Sequence, residues 1–336
     1  TIKELEDYFI SINEKKFRAV QVYEALYKRR IKSFDDMTNI SKEVREKLKQ
    51  DFSFYKIKML IKQQGKNVNK YLFELEDGNK IESVLMFHDY GTSICVSSQV
   101  GCNMTCAFCE SGRLKKVRNL LAYEIVQQIL QIEEDINKRI THVVLMGIGE
   151  PFDNYDNVMN FLATVNHDRG LGIGSRHITI STCGIVPRIY DFANEHTQYN
   201  LAISLHAPND ELRDKLMPVN HAYPLKELME AVKYYGQENN RRLTFEYILL
   251  NGVNDRPEHA KQLSKLLHGM NAYINLIPYN AVDEKGFKSV SHDEAMVFYD
   301  LLMKNHVRCT IRKEHGNDID AACGQLRIKE IKKEGI

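Results

Sequence analysis

The sequence lacks several features that would place it in a broad class of proteins. It has no run of about 18 apolar residues, so no membrane-spanning helix is expected. It shows no secretory signal, and its seven cysteines, an odd number, argue against a framework of disulfides. Repeats and low-complexity tracts are also missing. With 336 residues, 43% hydrophobic and 27% charged, we expect a soluble, cytoplasmic globular protein with a large core.

The chain also lacks an excess of charge of either sign, since its formal net charge is +1. The distribution of charge is nevertheless uneven. Residues 1–70 contain 17 Lys and Arg against 10 Asp and Glu, a net charge of +7, so the remainder carries −6. This asymmetry suggests a polyanion-binding appendage, although a solvated lysine-rich surface would have the same composition.

The first 50 residues have helical periodicity. Ala19, Tyr23 and Leu26 fall on one face of a helix, and a second short helix is predicted after Ser41 as its N-cap. We therefore predict a small, basic helical module over residues 1–55.

The next segment changes character. Residues 71–75 and 81–85 have the composition of strands, and Asp77-Gly78 between them indicates a turn. An antiparallel β extension is therefore predicted over residues 56–91.

From about residue 92, predicted strands and helices alternate six times. The strands are near-continuous apolar runs, typical of parallel strands covered on both faces, which favours an α/β architecture. This pattern does not distinguish an open sheet from a barrel. The predicted strands are Ile94–Ser98, His142–Met146, His177–Ser181, Leu201–Leu205, Thr244–Leu250 and Tyr273–Ile277, and the clearest helices are Tyr123–Ile136, Leu225–Gln237, His259–Leu267 and Asp293–Lys304.

Cys102, Cys106 and Cys109 have the spacing C-x3-C-x2-C. Cysteine thiolates ligate iron–sulfur clusters, and three of them would leave one iron of a [4Fe–4S] cluster open to a small molecule. Three ligands of a structural zinc are the alternative. Zinc sites more often combine two C-x2-C units, and no second unit occurs here, so the spacing favours the cluster.

The cysteine motif, with Phe108 before its last cysteine, resembles that of radical S-adenosylmethionine (SAM) enzymes. Further segments resemble the RlmN/Cfr-type radical SAM methyltransferases, which modify an adenosine of 23S rRNA. The resemblance implies a partial (β/α)6 barrel over residues 92–336, with chemistry at the carboxyl ends of the strands. It also implies that the basic helical module over residues 1–55 is an RNA-binding accessory domain. The matching segments are 97–102 (SSQVGC), 146–151 (MGIGEP), 204–208 (SLHAP), 216–218 (LMP), 252–255 (GVND) and 318–326 (DIDAACGQL).

The resemblance implies catalytic roles for three residues and two SAM molecules per turnover. Cys323 would accept a methyl group from one SAM, and a radical from the second would activate that methyl group to add to carbon 2 of adenine. Cys95 would then release the RNA by forming a transient disulfide, and Glu82 would take the ring proton. Without the resemblance, Cys95 would be a buried structural thiol, Cys323 a packing residue and Glu82 a solvent-facing residue of a strand.

The SAM contacts implied by the resemblance lie at predicted strand ends. Gly149 and Glu150 would hold the amino group of SAM, and Asn280 would make the final contact. A second set of residues, at the ends of two other strands, would contact the ribose and the carboxylate. That second set is Ser181, Ser204, Leu205 and His206. Cys183 and Cys309 match no family position and are predicted to be core residues on strands.

One segment departs from the family pattern, because Lys115 stands where glycine is usual. The unusually basic segment 113–116 is therefore expected to contact RNA phosphate more strongly or to have a different loop shape.

The resemblance thus implies a carbon-2 methyltransferase of 23S rRNA and tRNA, working as a monomer with a reductant such as flavodoxin or ferredoxin. A Cfr-type carbon-8 methyltransferase, which confers antibiotic resistance, would share the catalytic residues. Glu150-Pro151 and the stretch 312–316 resemble the carbon-2 branch more closely. A non-catalytic iron–sulfur or zinc RNA-binding protein is a third hypothesis, but it would not need Cys95 and Cys323.

Overall fold

The structure is a computed structural model and describes residues 1–280, 286–312 and 324–333. The α-helices are α1 (Ile2–Ser11), α2 (Phe17–Tyr27), α3 (Lys42–Asp51), α4 (Ala122–Ile136), α5 (Tyr155–Asn166), α6 (Val186–Asn194), α7 (Asp210–Leu216), α8 (Leu225–Asn239), α9 (Pro257–Leu266), α10 (His292–Lys304) and α11 (Gln325–Lys333). The strands are β1 (Lys58–Gln64), β2 (Val68–Glu74), β3 (Lys80–His88), β4 (Gly91–Cys95), β5 (Gln99–Val100), β6 (Arg118–Asn119), β7 (His142–Leu145), β8 (Ile178–Thr182), β9 (Asn200–Ser204), β10 (Leu243–Leu249), β11 (Ala272–Pro278) and β12 (Cys309–Ile311).

The third amino-terminal helix begins at the predicted capping residue. The Oγ atom of Ser41 accepts a hydrogen bond from the backbone N of Val44 at 3.4 Å and begins α3, as expected. The apolar faces of α1, α2 and α3 pack into a core of their own, separate from that of the barrel. Its buried members are Phe9, Ala19, Val22, Ala25, Phe34, Met37, Ile40, Val44 and Leu48.

These helices rest on the outside of the barrel through polar contacts. The Tyr23 hydroxyl donates to the carbonyl of Thr164, at the end of α5, at 3.5 Å. Arg169 forms an ion pair with Glu24 at 2.6 Å.

A ten-stranded sheet connects the β extension to the barrel. Its order is β1-β2-β3-β4-β7-β8-β9-β10-β11-β12. Neighbours from β1 to β4 pair antiparallel, and neighbours from β4 to β12 pair parallel. The predicted parallel α/β architecture is therefore confirmed as a partial barrel, with β12 as a strand beyond the six predicted.

Two predicted features of the strands were wrong in detail. The first barrel strand was expected at 94–98 but covers Gly91–Cys95. Beyond it, the Ser97 backbone N donates to the side chain of Gln128 at 2.8 Å, so a side chain of α4 takes the place of a strand partner. The extension was expected to have two strands, but it has three, because β1 precedes them.

The two faces of the barrel strands differ. Phe245, Tyr247 and Leu249 of β10 are buried in the apolar core. Thr244 and Glu246, which alternate with them, line the barrel interior. The strands were expected to be apolar on both faces, but on β10 these inward-facing positions are polar. In the part of the chain that the structure describes, no helix is both long and apolar enough to cross a membrane.

Candidate active site

A cavity of about 350 Å³ opens at the carboxyl ends of the parallel strands. A volume of this size is typical of a small-molecule site. Its wall contains the three cysteines of the C-x3-C-x2-C motif together with six of the seven residues predicted to contact SAM. Those nine residues are Cys102, Cys106, Cys109, Gly149, Glu150, Ser181, Ser204, His206 and Asn280.

Backbone contacts fix the shape of the cysteine loop. Gly101 has φ +81°, and a Cβ atom there would lie 2.2 Å from the carbonyl oxygen of Lys115, so no other residue fits without moving the backbone. Next to it, the Cys102 N–H donates to the carbonyl of Leu114 at 3.1 Å. The Cys109 N–H donates to the carbonyl of Cys106, also at 3.1 Å.

Burial keeps these thiols protonated in the absence of a metal. It raises the pKa of Cys102 to about 12, and it raises the pKa of Cys106 as well, with the neighbouring cysteines adding to both effects. Metal ligation requires thiolates, so the charge of bound iron would have to offset this cost. Three soft sulfur donors in a largely apolar wall fit an iron–sulfur cluster. Among the described residues, no three His, Cys, Asp or Glu side chains converge on a single-ion site.

Glu150 is a buried carboxyl in the cavity wall. It accepts hydrogen bonds from the backbone N of Phe152 at 3.0 Å and of Cys183 at 2.7 Å. Burial raises its pKa, and these two hydrogen bonds oppose that shift. Gly149 before it has φ +111°, and a Cβ there would lie 2.7 Å from the Cβ of Gln99. This carboxyl and the close backbone beside it fit the ammonium group of SAM.

His206 is held as a neutral imidazole. Its Nδ1 accepts a hydrogen bond from the Ile248 N–H at 3.0 Å, which leaves the proton on Nε2. Burial, followed by the charge of Arg213, lowers the pKa of His206 to about 3. The Phe108 ring packs edge-on at 4.8 Å between centroids, so the aromatic residue of the cysteine motif positions the histidine.

Leu205 behaves differently from the other predicted SAM contacts. Its side chain is fully buried in the core and does not line the cavity. Its backbone contributes to the structure around the cavity, because the Leu205 N–H donates to the carbonyl of Glu246 at 3.0 Å and so joins the end of β9 to β10.

Sequence reasoning missed Arg213, a fully buried residue of α7. Its guanidinium donates to the carbonyl of Cys183 at 2.6 Å and to the carbonyl of Leu205 at 3.3 Å. It therefore ties together the chain just beyond β8 and β9, where the cavity lies. Cys183 follows β8 by one residue and lines the cavity, whereas it was expected on a strand. Cys309 is buried on β12, as predicted.

Glu82 lies outside the cavity wall but close to the carboxy-terminal segment. Its carboxylate accepts hydrogen bonds from the backbone N of Gly324 at 2.7 Å and of Arg327 at 2.5 Å, which caps the start of α11. It also forms an ion pair at 3.0 Å with Lys70, which is 0% exposed. Glu82 is therefore an anchor for the chain that follows Cys323, and it is not the solvent-facing strand residue that its sequence context alone would suggest.

Cys95 ends β4 directly opposite Val84 of β3. It is buried in an apolar group with Val144 and Met146. Glu82 is two residues before Val84 on the same strand, so Gly324 is bound one strand away from Cys95. Cys323 itself lies outside the described residues.

The basic segment 113–116 is largely neutralised by neighbouring acids. Lys116 forms an ion pair with Asp153 at 2.7 Å, and Arg113 forms one with Glu110 at 3.4 Å. Lys115 is exposed. Two of the three charges expected to face RNA are thus paired within the protein.

Comparison with known proteins assigns the family. The model of the radical SAM superfamily matches residues 96–263, and that of the ribosomal RNA large subunit methyltransferase N-terminal domain matches residues 1–53. A relative from Enterococcus faecalis, named "Probable dual-specificity RNA methyltransferase RlmN", is 55% identical over all of this chain and 97% of its own length. A Listeria monocytogenes relative of the same name is 52% identical over all of this chain and 94% of its own length.

The chain belongs to the RlmN family of radical SAM RNA methyltransferases. A crystal structure of a radical SAM methyltransferase from Sphaerobacter thermophilus superimposes with a TM-score of 0.90 at 38% identity, covering 97% of each chain. RlmN membership implies a [4Fe–4S] cluster, SAM and an RNA substrate. The cavity described above has residues that fit the first two.

Proposed function

We propose that this RlmN-family protein methylates carbon 2 of an adenosine in 23S rRNA and in tRNA, through an S-methylated Cys323 and a transient disulfide with Cys95. The observation that carries the proposal is the anchoring of the carboxy-terminal segment. Glu82 binds the amide of Gly324, the residue after Cys323, and lies two residues from Val84, the strand partner of Cys95. This arrangement supports a reaction between the two thiols, because it holds the chain beside one of them close to the strand of the other.

The cofactor cavity supports the same proposal. With a cluster held by Cys102, Cys106 and Cys109, one SAM would supply the methyl group and a second SAM would supply the radical that abstracts hydrogen. In this chain Glu150 would bind the SAM ammonium, and the Nε2–H of His206 would donate to a SAM oxygen. The largely apolar wall would exclude water from the radical step.

Glu82 is the proposed base for the ring proton. Both of its oxygens accept backbone hydrogen bonds in this structure, so one oxygen must exchange an amide for the ring proton. Lys70 would remain beside the carboxylate as its ion-pair partner. We further propose that a flavodoxin- or ferredoxin-type reductant supplies electrons, that the basic accessory domain over residues 1–55 binds RNA, and that the enzyme acts as a monomer.

Two cysteine variants and a matched control test the proposal. Cys323→Ala should form neither product nor adduct, because the methyl carrier is gone. Cys95→Ala should accumulate a covalent protein–RNA species, seen as a nuclease-sensitive band on a denaturing gel. Cys309→Ala, at a buried cysteine that does not line the cofactor cavity, should methylate RNA as the wild type does.

Mass spectrometry of the nucleosides then identifies the reaction. 2-Methyladenosine is the expected product, whereas 8-methyladenosine would assign the chain to the carbon-8 reaction. RNA methylation by the Cys323→Ala variant would refute the carrier mechanism. Loss of activity without any adduct in Cys95→Ala would refute the resolving role.

A further inference from the structure

A second cavity, of about 760 Å³, lies at the amino ends of the barrel strands. Asn200, Thr244 and Tyr273, near the starts of β9, β10 and β11, are in its wall. Met146, Glu246 and Arg312 line both this cavity and the cofactor cavity. These shared residues place the two cavities next to each other inside the barrel, one at each end of the strands.

Three arginines surround the amino-end opening: Arg176, Arg241 and Arg242, which we call the arginine rim. None of the three forms an ion pair with any residue that the structure describes. Arg176 and Arg242 are exposed, and Arg241 is half-buried. Three guanidinium groups without counter-charges produce a strongly positive entrance.

The rim is held in place by neutral contacts. Asn200 donates to the backbone carbonyl of Arg176 at 2.8 Å, and its amide oxygen accepts a hydrogen bond from Arg241. The Nε of Arg241 is buried and has no hydrogen-bond partner among the described residues. The Arg242 guanidinium lies 4.4 Å from the centre of the Tyr273 ring. Donors are thus fixed at the opening and remain available to an external acceptor.

The interior behind the rim has polar side chains in its wall, among them Thr244, Glu246 and Asn275. Glu246, buried in the wall shared by both cavities, accepts a hydrogen bond from the Asn275 side chain at 2.8 Å. Burial raises the pKa of Glu246 to about 7, so this carboxyl can both donate and accept hydrogen bonds near neutral pH. From Arg242 to Glu246 is four residues of extended strand, or about 13 Å. A ligand that spans this depth would meet guanidinium groups at the rim, which favour an anionic end, and polar side chains inside, which favour a hydrogen-bonding end.

We propose that the arginine rim binds the phosphates on either side of the target nucleotide, so that the base enters the barrel from the amino ends of the strands. A nucleotide has its anionic phosphates and its flat base at opposite ends, as the cavity requires. Guanidinium groups suit phosphate because they donate two parallel hydrogen bonds. Flipping the nucleotide out of its stack would bring the base to Glu246 and Asn275. This inference rests on the proposed function and adds the entry route and the residues that bind the RNA backbone.

The test compares full-length variants that differ in charge and in position. Arg241→Gln/Arg242→Gln removes two rim charges, and Arg241→Lys/Arg242→Lys keeps the charge but loses the paired donors. Arg188→Gln/Arg256→Gln is the matched control, since both of these arginines are exposed and line neither cavity. Binding of an RNA hairpin that contains the target adenosine is measured over a series of salt concentrations, together with the KM for methylation.

The glutamine pair should weaken RNA binding at least tenfold and raise KM by a similar factor. It should also lower the slope of log K against log salt by about 1.4, because about 0.7 is lost for each single-strand phosphate contact. The lysine pair should keep the slope while losing part of the affinity, and the control pair should change affinity less than twofold. Glutamine and control pairs that bind and methylate RNA alike would overturn the proposal.

Further measurements distinguish a loss of RNA binding at the rim from misfolding of the variant and from failure of the proposed function. Iron content and thermal unfolding report whether the glutamine pair is folded, and Arg176→Gln alone, at an exposed position, gives a second test of the rim. If inorganic phosphate binds to the rim of the wild type but RNA affinity is unchanged in every rim variant, the rim is a site for free anions. The proposal then fails. If the rim variants lose RNA binding but the wild type methylates neither 23S rRNA nor tRNA, the rim stands and the proposed function fails.

Discussion

The buried contact between Lys70 and Glu82 allows a quantitative prediction. Glu82→Ala removes the Glu82 carboxylate from the buried Lys70 ammonium, and it removes the acceptor that the amides of Gly324 and Arg327 share. Removing one partner of a buried ion pair costs about 3–5 kcal/mol. Lys70→Met/Glu82→Gln removes both charges and keeps one amide oxygen as an acceptor. The free energy of unfolding of this double variant should fall by only about 1–3 kcal/mol, which is the cost of one unsatisfied amide.

Urea unfolding at pH 7 and constant salt measures both free energies. The expected signature is non-additivity, since the double variant should be more stable than Glu82→Ala. Both variants should still load iron at the three cysteines of the C-x3-C-x2-C motif but should lose RNA methylation, because the anchor of the segment after Cys323 is weakened. The reasoning would be refuted if the free energy of unfolding of Glu82→Ala were within 1 kcal/mol of the wild-type value. A double variant less stable than Glu82→Ala would refute it as well.

Three further predictions concern the cluster, the accessory domain and a buried acid. Anaerobically reconstituted protein should contain one [4Fe–4S] cluster by iron, sulfide and EPR analysis; stoichiometric zinc without labile sulfide would contradict the assignment. The double variant Lys28→Gln/Arg29→Gln, at exposed positions after α2, should lower the slope of log K against log salt for RNA binding by about 1.4. The control Lys226→Gln/Lys233→Gln on α8 should leave that slope unchanged. Equal slopes for the two double variants would refute RNA contact by Lys28 and Arg29. The folded-state pKa of Glu246, about 7, lies above the ordinary 4.5, so its ionisation destabilises the fold as pH rises through this interval. Glu246→Gln should therefore gain stability relative to the wild type between pH 5 and pH 8 in urea unfolding, and an equal difference at both pH values would show that Glu246 does not titrate in this way.

Local signals predicted most of the fold. Ser41 marks the start of α3 because its side chain caps neighbouring backbone groups, and the cysteine motif is detectable because its spacing is short. Strand β1 was missed because its sequence, KMLIKQQ, is partly exposed and has no clear alternation of polar and apolar residues. The end of β4 at Cys95 was not predicted, because it depends on a distant residue. Gln128, about thirty residues further along the chain, bonds the backbone of Ser97 where a strand partner was expected.

The candidate site was predictable where residues are held by strand ends and not where they depend on distant partners. Ser181, Ser204 and His206 reach the cavity because parallel strands end at the same edge of the sheet. Leu205 does not, because successive side chains of an extended strand point to opposite faces. Arg213 carries no local signal of its role, since its acceptors are carbonyl groups on two separate elements.

The contact between Glu82 and Gly324 also determines an order of events during synthesis. The two residues are 242 positions apart, so at roughly 5–20 residues per second about 10–50 s separate their emergence from the ribosome. During that interval Lys70 already neutralises Glu82, and the residues of the cofactor cavity up to Asn280 are made before the anchor is complete. A nascent chain can therefore assemble the cofactor cavity while the segment that follows Cys323 is still absent, and that segment docks only afterwards.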